Sequence, residues 1–499
     1  MNAMTHRSVL LLAAAVLAGT TGAVATADVP ARPEQIHFAP LSFEPPSAAE
    51  YRHVLPSGVV VYLAPSTEFP LVNIAMTFKG GRDLDPADQV GLADATGAMI
   101  RRGGTKNMSA EDLDETFDFL AANVSTNCGP VTSSAVLNSL KSNLDESLPL
   151  FFEMLRTPGF DAAKLGLWQS EQLERMKQRN DDAGPILSRE WDALLYGRDH
   201  FEAAQSTQKS IESIDQASLQ RMHDRIFHPG NVIVAVTGDF DEKDMLDRLE
   251  QAFAGWERGD QVSDPAAPTA TFTPGVYHVE KDIPQGKVNI GLRGITRDDP
   301  DYYAMTILND ILGGGGFTSR ITKRVRSDEG LAYSAGSANS AGVYYPGEFR
   351  ASFQSKNRTV ALATKIIMEE IERIRTEPVS DEELATSVNS MIETFPRTFE
   401  SKAGMLNVFV SDEWTNRPAD YWQKYRDRLR AVTKDDILRV AQKHLDPNAM
   451  AIFVVGKWSE IAPGDLEGRA SMAEFFGGSV TDLPLRDPMT MEPIPTGGG

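Results

Sequence analysis

Part of this chain is written twice. Ile214 to Gly238, IDQASLQRMHDRIFHPGNVIVAVTG, matches Val432 to Gly456, VTKDDILRVAQKHLDPNAMAIFVVG, at a constant offset of 218 positions. Leu219 answers Ile437, Phe227 answers Leu445, Pro229 answers Pro447, and the closing glycines coincide. Solenoid repeats recur every 20–50 residues or so, whereas this spacing is domain-sized, so it predicts a duplicated domain. Thr157-Pro158-Gly159-Phe160, ahead of one helical run, has a looser echo in Pro378 to Leu384. Strands alternating with helices in each copy predict an α/β (α+β) fold, two sheets each with helices packed on it. With 499 residues the chain is also too long for one compact core.

The first residues carry an address. Arg7 precedes an apolar run, Val9 to Leu17, and Ala25-Thr26-Ala27 supplies the small residues of a signal-peptidase site. The run is too short to span a bilayer, so residues 1–27 are expected to be a cleaved secretory signal. The mature chain is then secreted, or periplasmic in a Gram-negative source. Residues 28–49, rich in proline and alanine, form a leader segment.

Val59 to Leu63 and Leu71 to Met76 predict strands. A helix is expected from about Asp85, and another from Ser109, where Ser109-Ala110-Glu111-Asp112 resembles a capping box. Helical periodicity dominates from Glu146 to about Phe227, followed by a strand over Asn231–Thr237 and a helix over Glu242–Phe253. Asp260 to Pro274 has three prolines and no period, which marks a linker. The predicted domains are therefore 50–258 and 275–480, joined by 259–274. Residues 481–499 are proline- and glycine-rich and are expected to be disordered.

A formal charge of −21 argues against nucleic-acid binding, since nothing would neutralise phosphates. It favours the approach of basic peptides and keeps the chain soluble. Cys128 is the lone cysteine, which excludes an intrachain disulfide and suggests a small half-buried residue. No later segment is long and apolar enough to cross a bilayer.

Ile311 to Ser334, ILGGGGFTSRITKRVRSDEGLAYS, is the most specific stretch. Gly313, Gly314, Gly315 and Gly316 end an apolar helical run and permit a sharp reversal. A second helix is expected from about Phe317 to Asp328, with Ile321 and Val325 on one face, stopped by Gly330. Arg326 from its last turn and Tyr333 from the following strand then converge. A guanidinium and a phenol both donate hydrogen bonds in fixed directions and suit a peptide carbonyl or a developing oxyanion. An arginine near a helix C-terminus also suits the macrodipole with no function at all.

The run LGGGGFTSR…RVRSDEGLAYS resembles the second half of the pitrilysin (insulinase-like, M16) metallopeptidases, and the likeness extends roughly from Tyr51 to Lys457. The resemblance implies two M16-type domains, halves that face each other like a clamshell around a chamber, or one half of such a clamshell. It implies that Arg326 and Tyr333, with Gly313 to Gly316 beside them, bind substrate over a zinc ion. In the family the zinc sits on an H-x-x-E-H motif in the first half, two imidazoles sharing a helix face with a glutamate between them. Here the corresponding run is Gly91-Leu92-Ala93-Asp94-Ala95-Thr96-Gly97-Ala98-Met99, followed by a family-like Arg101-Arg102-Gly103-Gly104-Thr105. Asp94 stands for the first histidine, Gly97 for the glutamate and Ala98 for the second histidine.

Glu174 falls where the family's third ligand is expected, 76 residues beyond Ala98. Asp94 and Glu174 alone cannot make a zinc site without nitrogen donors, and Glu174 reads more simply as a solvated charge. His223 and His228, five apart across a helix end, are poor ligands and fit a surface role better. No H-E-x-x-H and no G-x-S-x-G is present.

Two functions fit this pattern. The chain is either the non-catalytic, substrate-binding subunit of a heteromeric zinc peptidase, or an inert scaffold or peptide-binding protein of the same fold. In the first, a related partner carries H-x-x-E-H and the zinc, and this chain holds no cofactor of its own. Arg326 and Tyr333 discriminate, because a scaffold has no use for them.

Overall fold

A computed structural model describes Arg32 and residues 42–495. The signal segment 1–27 and most of the 28–49 leader lie outside the described residues. Residues from Glu44 onward form one compact unit, to which every element below belongs.

Among the described residues the chain builds two six-stranded sheets. The first holds β1 (Arg52–Val54), β2 (Val60–Pro65), β3 (Leu71–Lys79), β4 (Asn123–Cys128), β5 (Thr132–Leu140) and β6 (Val232–Gly238), in the order β1-β2-β6-β3-β5-β4. The second holds β7 (Gly275–Glu280), β8 (Gln285–Arg293), β9 (Ala332–Ser340), β10 (Glu348–Lys356), β11 (Ala451–Gly456) and β12 (Val480–Asp482), in the order β12-β7-β11-β8-β10-β9. Five strands correspond one to one. β6 lies parallel to β2 as β11 lies parallel to β7, and the remaining shared ladders are antiparallel in both.

The offset of 218 survives in three dimensions. Gln216–Ile226 and Lys434–His444 are equivalent helices, with Asp215 and Thr433 closing equivalent capping boxes. Each capping oxygen accepts from the N–H three residues on, which satisfies one of the orphan donors of a helix start.

The duplicated strands β6 and β11 read as unbroken apolar runs because both of their faces are covered. One face meets the domain's own helices in two large cores. The other is covered by a helix from the opposite domain. Ala183–Tyr196 lays Ile186, Leu187, Trp191 and Leu195 on Val279, Phe453 and Val455 of the second sheet. Lys402–Trp414 lies over β2 and β6 of the first sheet, with Phe409 5.9 Å from the Tyr62 ring. At ~1.5–3 kcal/mol per fully buried large apolar side chain, this exchange is a substantial part of what joins the domains. Polar contacts fix its register: Trp191 Nε1 donates to Glu348 at 2.6 Å, and Tyr62 and Arg52 both donate to Glu413. The two domains are thus interlocked, and do not face each other across a chamber.

Several expectations need correction. The helix expected from Asp85 begins at Leu92; Asp85 stays outside and accepts from the Gly91 and Ala93 N–H groups at 2.8 and 2.7 Å. Gly91, at φ 105°, makes the entry turn that a side chain would strain. Ser109 caps its helix by accepting from the Asp112 N–H, and its hydroxyl turns to the Asp112 carboxylate. The linker has no regular element but is tied down through Val262, which is buried, and through an Asp264–Lys79 ion pair.

The tail 481–499 is not disordered over the residues described. Val480–Asp482 adds β12 to the second sheet, crossing the expected boundary at 480. The chain then returns to the first domain. Asn180 and the Gln208 N–H donate to the carbonyls of Arg486 and Met489, both at 2.7 Å. Leu483 and Leu485 pack at the interdomain core and Met489 on the first core. Proline-rich composition misleads here because these residues find apolar partners that only the folded domains create. Residues 496–499 lie outside the described residues.

Candidate functional site

The glycine-rich stretch is built differently from a plain helix–turn–helix. The helix Tyr302–Asn309 widens into a π turn, Asp310–Gly314, so Gly313 and Gly314 continue the helical path and do not end it. Gly313 is pressed against β9, where a Cβ would stand 2.4 Å from the Ser337 nitrogen. The reversal falls at Gly315 and Gly316, the latter at φ 64°.

The expected helix from Phe317 to Asp328 is a 3₁₀ turn, Gly316–Thr318, and then a π-helix, Thr322–Asp328, entered through helical Arg320 and Ile321. Ile321 and Val325 are both fully buried and hold it on the core. Thr322 Oγ1 donates to the Ala335 carbonyl at 2.8 Å, tying it to β9. π-Helical turns concentrate at functional sites, because the extra residue per turn shifts side chains off the α register.

Arg326 and Tyr333 do meet, and a third residue joins them. The Arg326 guanidinium lies 4.6 Å from the Phe317 ring centroid and 4.7 Å from that of Tyr333. The two rings hold it in a cation–π sandwich. Both aromatics are exposed, Phe317 at 68% and Tyr333 at 85%. Among the described residues Arg326 makes no ion pair or hydrogen bond and the Tyr333 hydroxyl has no partner, so every polar proton of the pair is available. Tyr333 points outward because β9 carries a bulge: Phe353 pairs with Ala335 but Ser355 with Ala332, which leaves Tyr333 and Ser334 both exposed. A bulge re-aims a side chain in this way. Neither the bulge nor the role of Phe317 is visible in the alternation of the sequence.

β9 is the outermost strand of its sheet, and a groove of about 370 Å³ runs along it. Gly313, Gly314, Gly316, Phe317, Arg326 and Arg350 are among the residues that line it. Extended chains bind such edges through main-chain hydrogen bonds.

The degenerate motif lies in the helix Leu92–Arg102, packed on β4, the matching outermost strand of the first sheet. Gly97 touches that strand: a Cβ there would stand 2.6 Å from the Cys128 nitrogen and 3.0 Å from the Asn127 carbonyl carbon. Thr126 Oγ1 donates to the Gly97 carbonyl at 2.6 Å. Ala98 is half-buried, and Asp94 sits at the surface with its carboxyl held above the usual range by crowding protein, against the pull of Arg82. Glu174 is exposed and pairs with Lys177 at 2.5 Å. The cavity beside Asp94 and Ala98, about 430 Å³, is lined instead by Arg101, Arg102 and Arg175. Arg102 pairs with Glu171 at 2.9 Å. These residues do not fit zinc: nitrogen donors are missing, the glutamate position has no room, and the cavity is rich in guanidinium.

Other candidates resolve as structural. Cys128 is buried, not half-buried, and burial pushes its thiol up to about 12, away from nucleophilic use. His223 and His228 are buried, not surface residues. His223 Nε2 lies 2.7 Å from the Leu155 carbonyl, and His228 Nδ1 accepts from the Gly230 and Gly259 N–H groups at 3.2 Å. Among the described residues Asp299, Asp301 and His444 are near enough together to hold a metal. Asp301 is already saturated: burial would raise its carboxyl, but Lys443, His444 and Arg439 outweigh that and hold it below the usual range.

Two interlocked sheet-plus-helix domains, with Gly97 closed against β4 in the first and Arg326 and Tyr333 exposed beside β9 in the second, make up this architecture. Comparisons with known proteins identify relatives. Residues 213–391 match the family model described as the peptidase M16 inactive domain. A Helicobacter pylori protein named non-peptidase homolog YmxG is 23% identical, over 82% of this chain and 94% of its own length. An uncharacterized zinc protease of Streptomyces coelicolor is also 23% identical, over 78% of this chain and 86% of its own. Among solved structures, a peptidase M16 inactive domain from Pseudomonas fluorescens superposes with a TM-score of 0.72 at 25% identity, covering 81% of this chain and 98% of that one. Over residues 213–391 the chain is thus similar to the peptidase M16 inactive domain, and its fold is that of M16-like proteins. Among the described residues no helix is long and apolar enough to cross a membrane.

Proposed function

We propose that this chain is the substrate-binding subunit of a two-chain zinc peptidase, exported through its N-terminal signal and working in the periplasm or outside the cell. Its partner is a related chain that supplies the H-x-x-E-H motif and the zinc. The observation that carries this reading is the Arg326 guanidinium, held between Phe317 and Tyr333 with its donors unspent at an open sheet edge. A charged group kept free of ion pairs at a surface suits a ligand better than it suits stability.

The peptide lies extended along β9, and Arg326 and Tyr333 donate to the carbonyl whose oxygen gains charge during hydrolysis. Stacking fixes the guanidinium plane in advance, so little ordering cost falls on the reaction itself. Loss of one such donor costs ~2.7–4 kcal/mol of transition-state stabilisation.

The test is a complex reconstituted with a related chain bearing H-x-x-E-H, assayed on an unstructured peptide. Tyr333→Phe should assemble normally and lose activity mainly in kcat, since the ring that stacks on Arg326 is kept. Arg326→Lys should also fail, because an ammonium neither stacks as a plane nor forks. Unchanged kinetics in a complex carrying both substitutions would reduce the chain to an inert scaffold.

A further inference from the structure

A single exposed aromatic ring is common on a protein surface and by itself says nothing. Phe317 differs in how firmly it is held and in what it is held against. Its 3₁₀ turn, Gly316–Thr318, is closed on both sides of the ring. The Ser319 nitrogen and Oγ lie 3.1 and 2.8 Å from the Gly316 carbonyl oxygen, and Thr318 Oγ1 donates to the Gly315 carbonyl at 2.9 Å.

Ser319 reaches further. It is fully buried, and its Oγ also lies 2.9 Å from Thr322 Oγ1, whose own proton goes to the Ala335 carbonyl of β9. Two buried hydroxyls thus tie together the turn that bears Phe317, the π-helix that bears Arg326 and the strand that bears Tyr333. Buried hydroxyls cost free energy when unpaired, so this chain of contacts resists any drift of one segment against the others. The three side chains of the stack are set on one frame.

Arg326 itself is long, and among the described residues no ion pair or hydrogen bond restrains it. What restrains it is the pair of rings, with the Phe317 centroid 4.6 Å from the guanidinium and the Tyr333 centroid 4.7 Å. An ion pair would hold the group as well but would occupy its N–H donors. A ring face attracts the cation and leaves them free. Tyr333 also has a hydroxyl to offer substrate, whereas Phe317 has no polar side-chain atom and takes no part in either domain core among the described residues. We propose that Phe317 is a positioning residue: it holds the Arg326 guanidinium ready for the carbonyl oxygen, and it acts on the reaction only through Arg326. This rests on the reading of Arg326 as a substrate donor. An orienting contact made before substrate arrives lowers the cost of ordering in the transition state, so its loss should show in kcat more than in KM.

Phe317→Leu keeps apolar bulk without a ring face, and Phe317→Tyr keeps the face. In the isolated mature chain the NMR signal of the Arg326 Nε–H, identified by its absence from Arg326→Lys, should be shifted upfield by the rings. Phe317→Leu should move it towards the position of a free arginine, and Phe317→Tyr should not. In the reconstituted complex Phe317→Leu should lose about two- to five-fold in kcat with KM little changed, the share of an exposed cation–π contact, and Phe317→Tyr should restore it. Both variants should melt with the parent chain, which separates positioning from folding. An Arg326 signal indifferent to Phe317→Leu, or a Leu variant as active as the Tyr variant, would overturn the proposal. If the signal moves as expected but the wild-type complex cleaves no peptide, Phe317 still positions Arg326 and the peptidase reading alone is lost.

Discussion

Gly97 and Cys128 are in backbone contact, with space for a hydrogen but not for a carbon between the helix and the edge strand. The lost glutamate is therefore not a single missing side chain. The helix that bears the degenerate motif lies directly on β4 at this point, which leaves no room for a glutamate side chain there. Gly97→Ala should destabilise the chain by ~1–3 kcal/mol, the usual cost of overpacking a close-packed contact. A denaturant midpoint equal to the parent's would show that helix and strand part easily. By the same argument, Asp94→His with Gly97→Glu and Ala98→His should not restore stoichiometric zinc on metal analysis.

Asp192 sits at the junction of the domains, near Glu348 and Glu202, with Arg350 and Arg82 as nearby cations. Burial first, and Glu348 second, lift its carboxyl to about 7. The unfolded chain releases that proton near the ordinary aspartate value, so between about pH 4 and about pH 7 the folded chain holds more protons. This contribution to stability is present below that window and is lost as pH rises through it. Asp192→Asn should raise the melting temperature at about pH 8 and change it little at about pH 4. A uniform shift at both pH values would assign the effect to packing.

Much of the fold was legible because it is repetitive and periodic. The offset of 218 located both equivalent helices and both central strands, since apolar periodicity and apolar runs leave local signals; the capping boxes at Asp215 and Thr433 came only with the structure. The interdomain exchange was not legible. Ile186 and Trp191 show only that their helix has an apolar face, and nothing local says that the face belongs to the other domain's sheet. At the site, Arg326 and Tyr333 stood out by their convergence and by resemblance, while Phe317 was read only as the start of a helix. Its contribution arises from a π-helical register and a β9 bulge, both fixed by tertiary contacts such as Thr322 on the Ala335 carbonyl. The ordered tail failed for the same reason: Leu483 and Met489 have no partners until two domains are in place.

Residues 483–495 offer a direct check on that last point. If they are strapped from β12 back to Asn180 and Gln208, proteases should cut them no faster than the domain cores under native conditions. Rapid cleavage there, ahead of any other site, would restore the disordered tail. Removal of residues 483–499 should lower the melting temperature, because Leu483, Leu485 and Met489 then leave apolar surface uncovered.

The exchanged helices make the sharpest claim about architecture, because each domain's sheet is completed by the other's chain. Tyr62 is buried at 2% exposure and its hydroxyl donates to Glu413 at 2.5 Å, across the boundary between domains. Tyr62→Phe keeps the ring against Phe409 and removes one donor, while the Arg52 fork still holds the carboxylate. The expected loss is ~1 kcal/mol. Trp191→Ala on the reciprocal helix removes a fully buried ring and leaves Glu348 without its indole donor, for ~3–5 kcal/mol. If the exchange couples the domains, both variants should still unfold in one transition, seen alike by hydrogen exchange in β6 and in β11. A Trp191→Ala protein in which β11 lost protection while β6 kept it would show that the domains stand independently, and that the interlock is a contact and not a shared core.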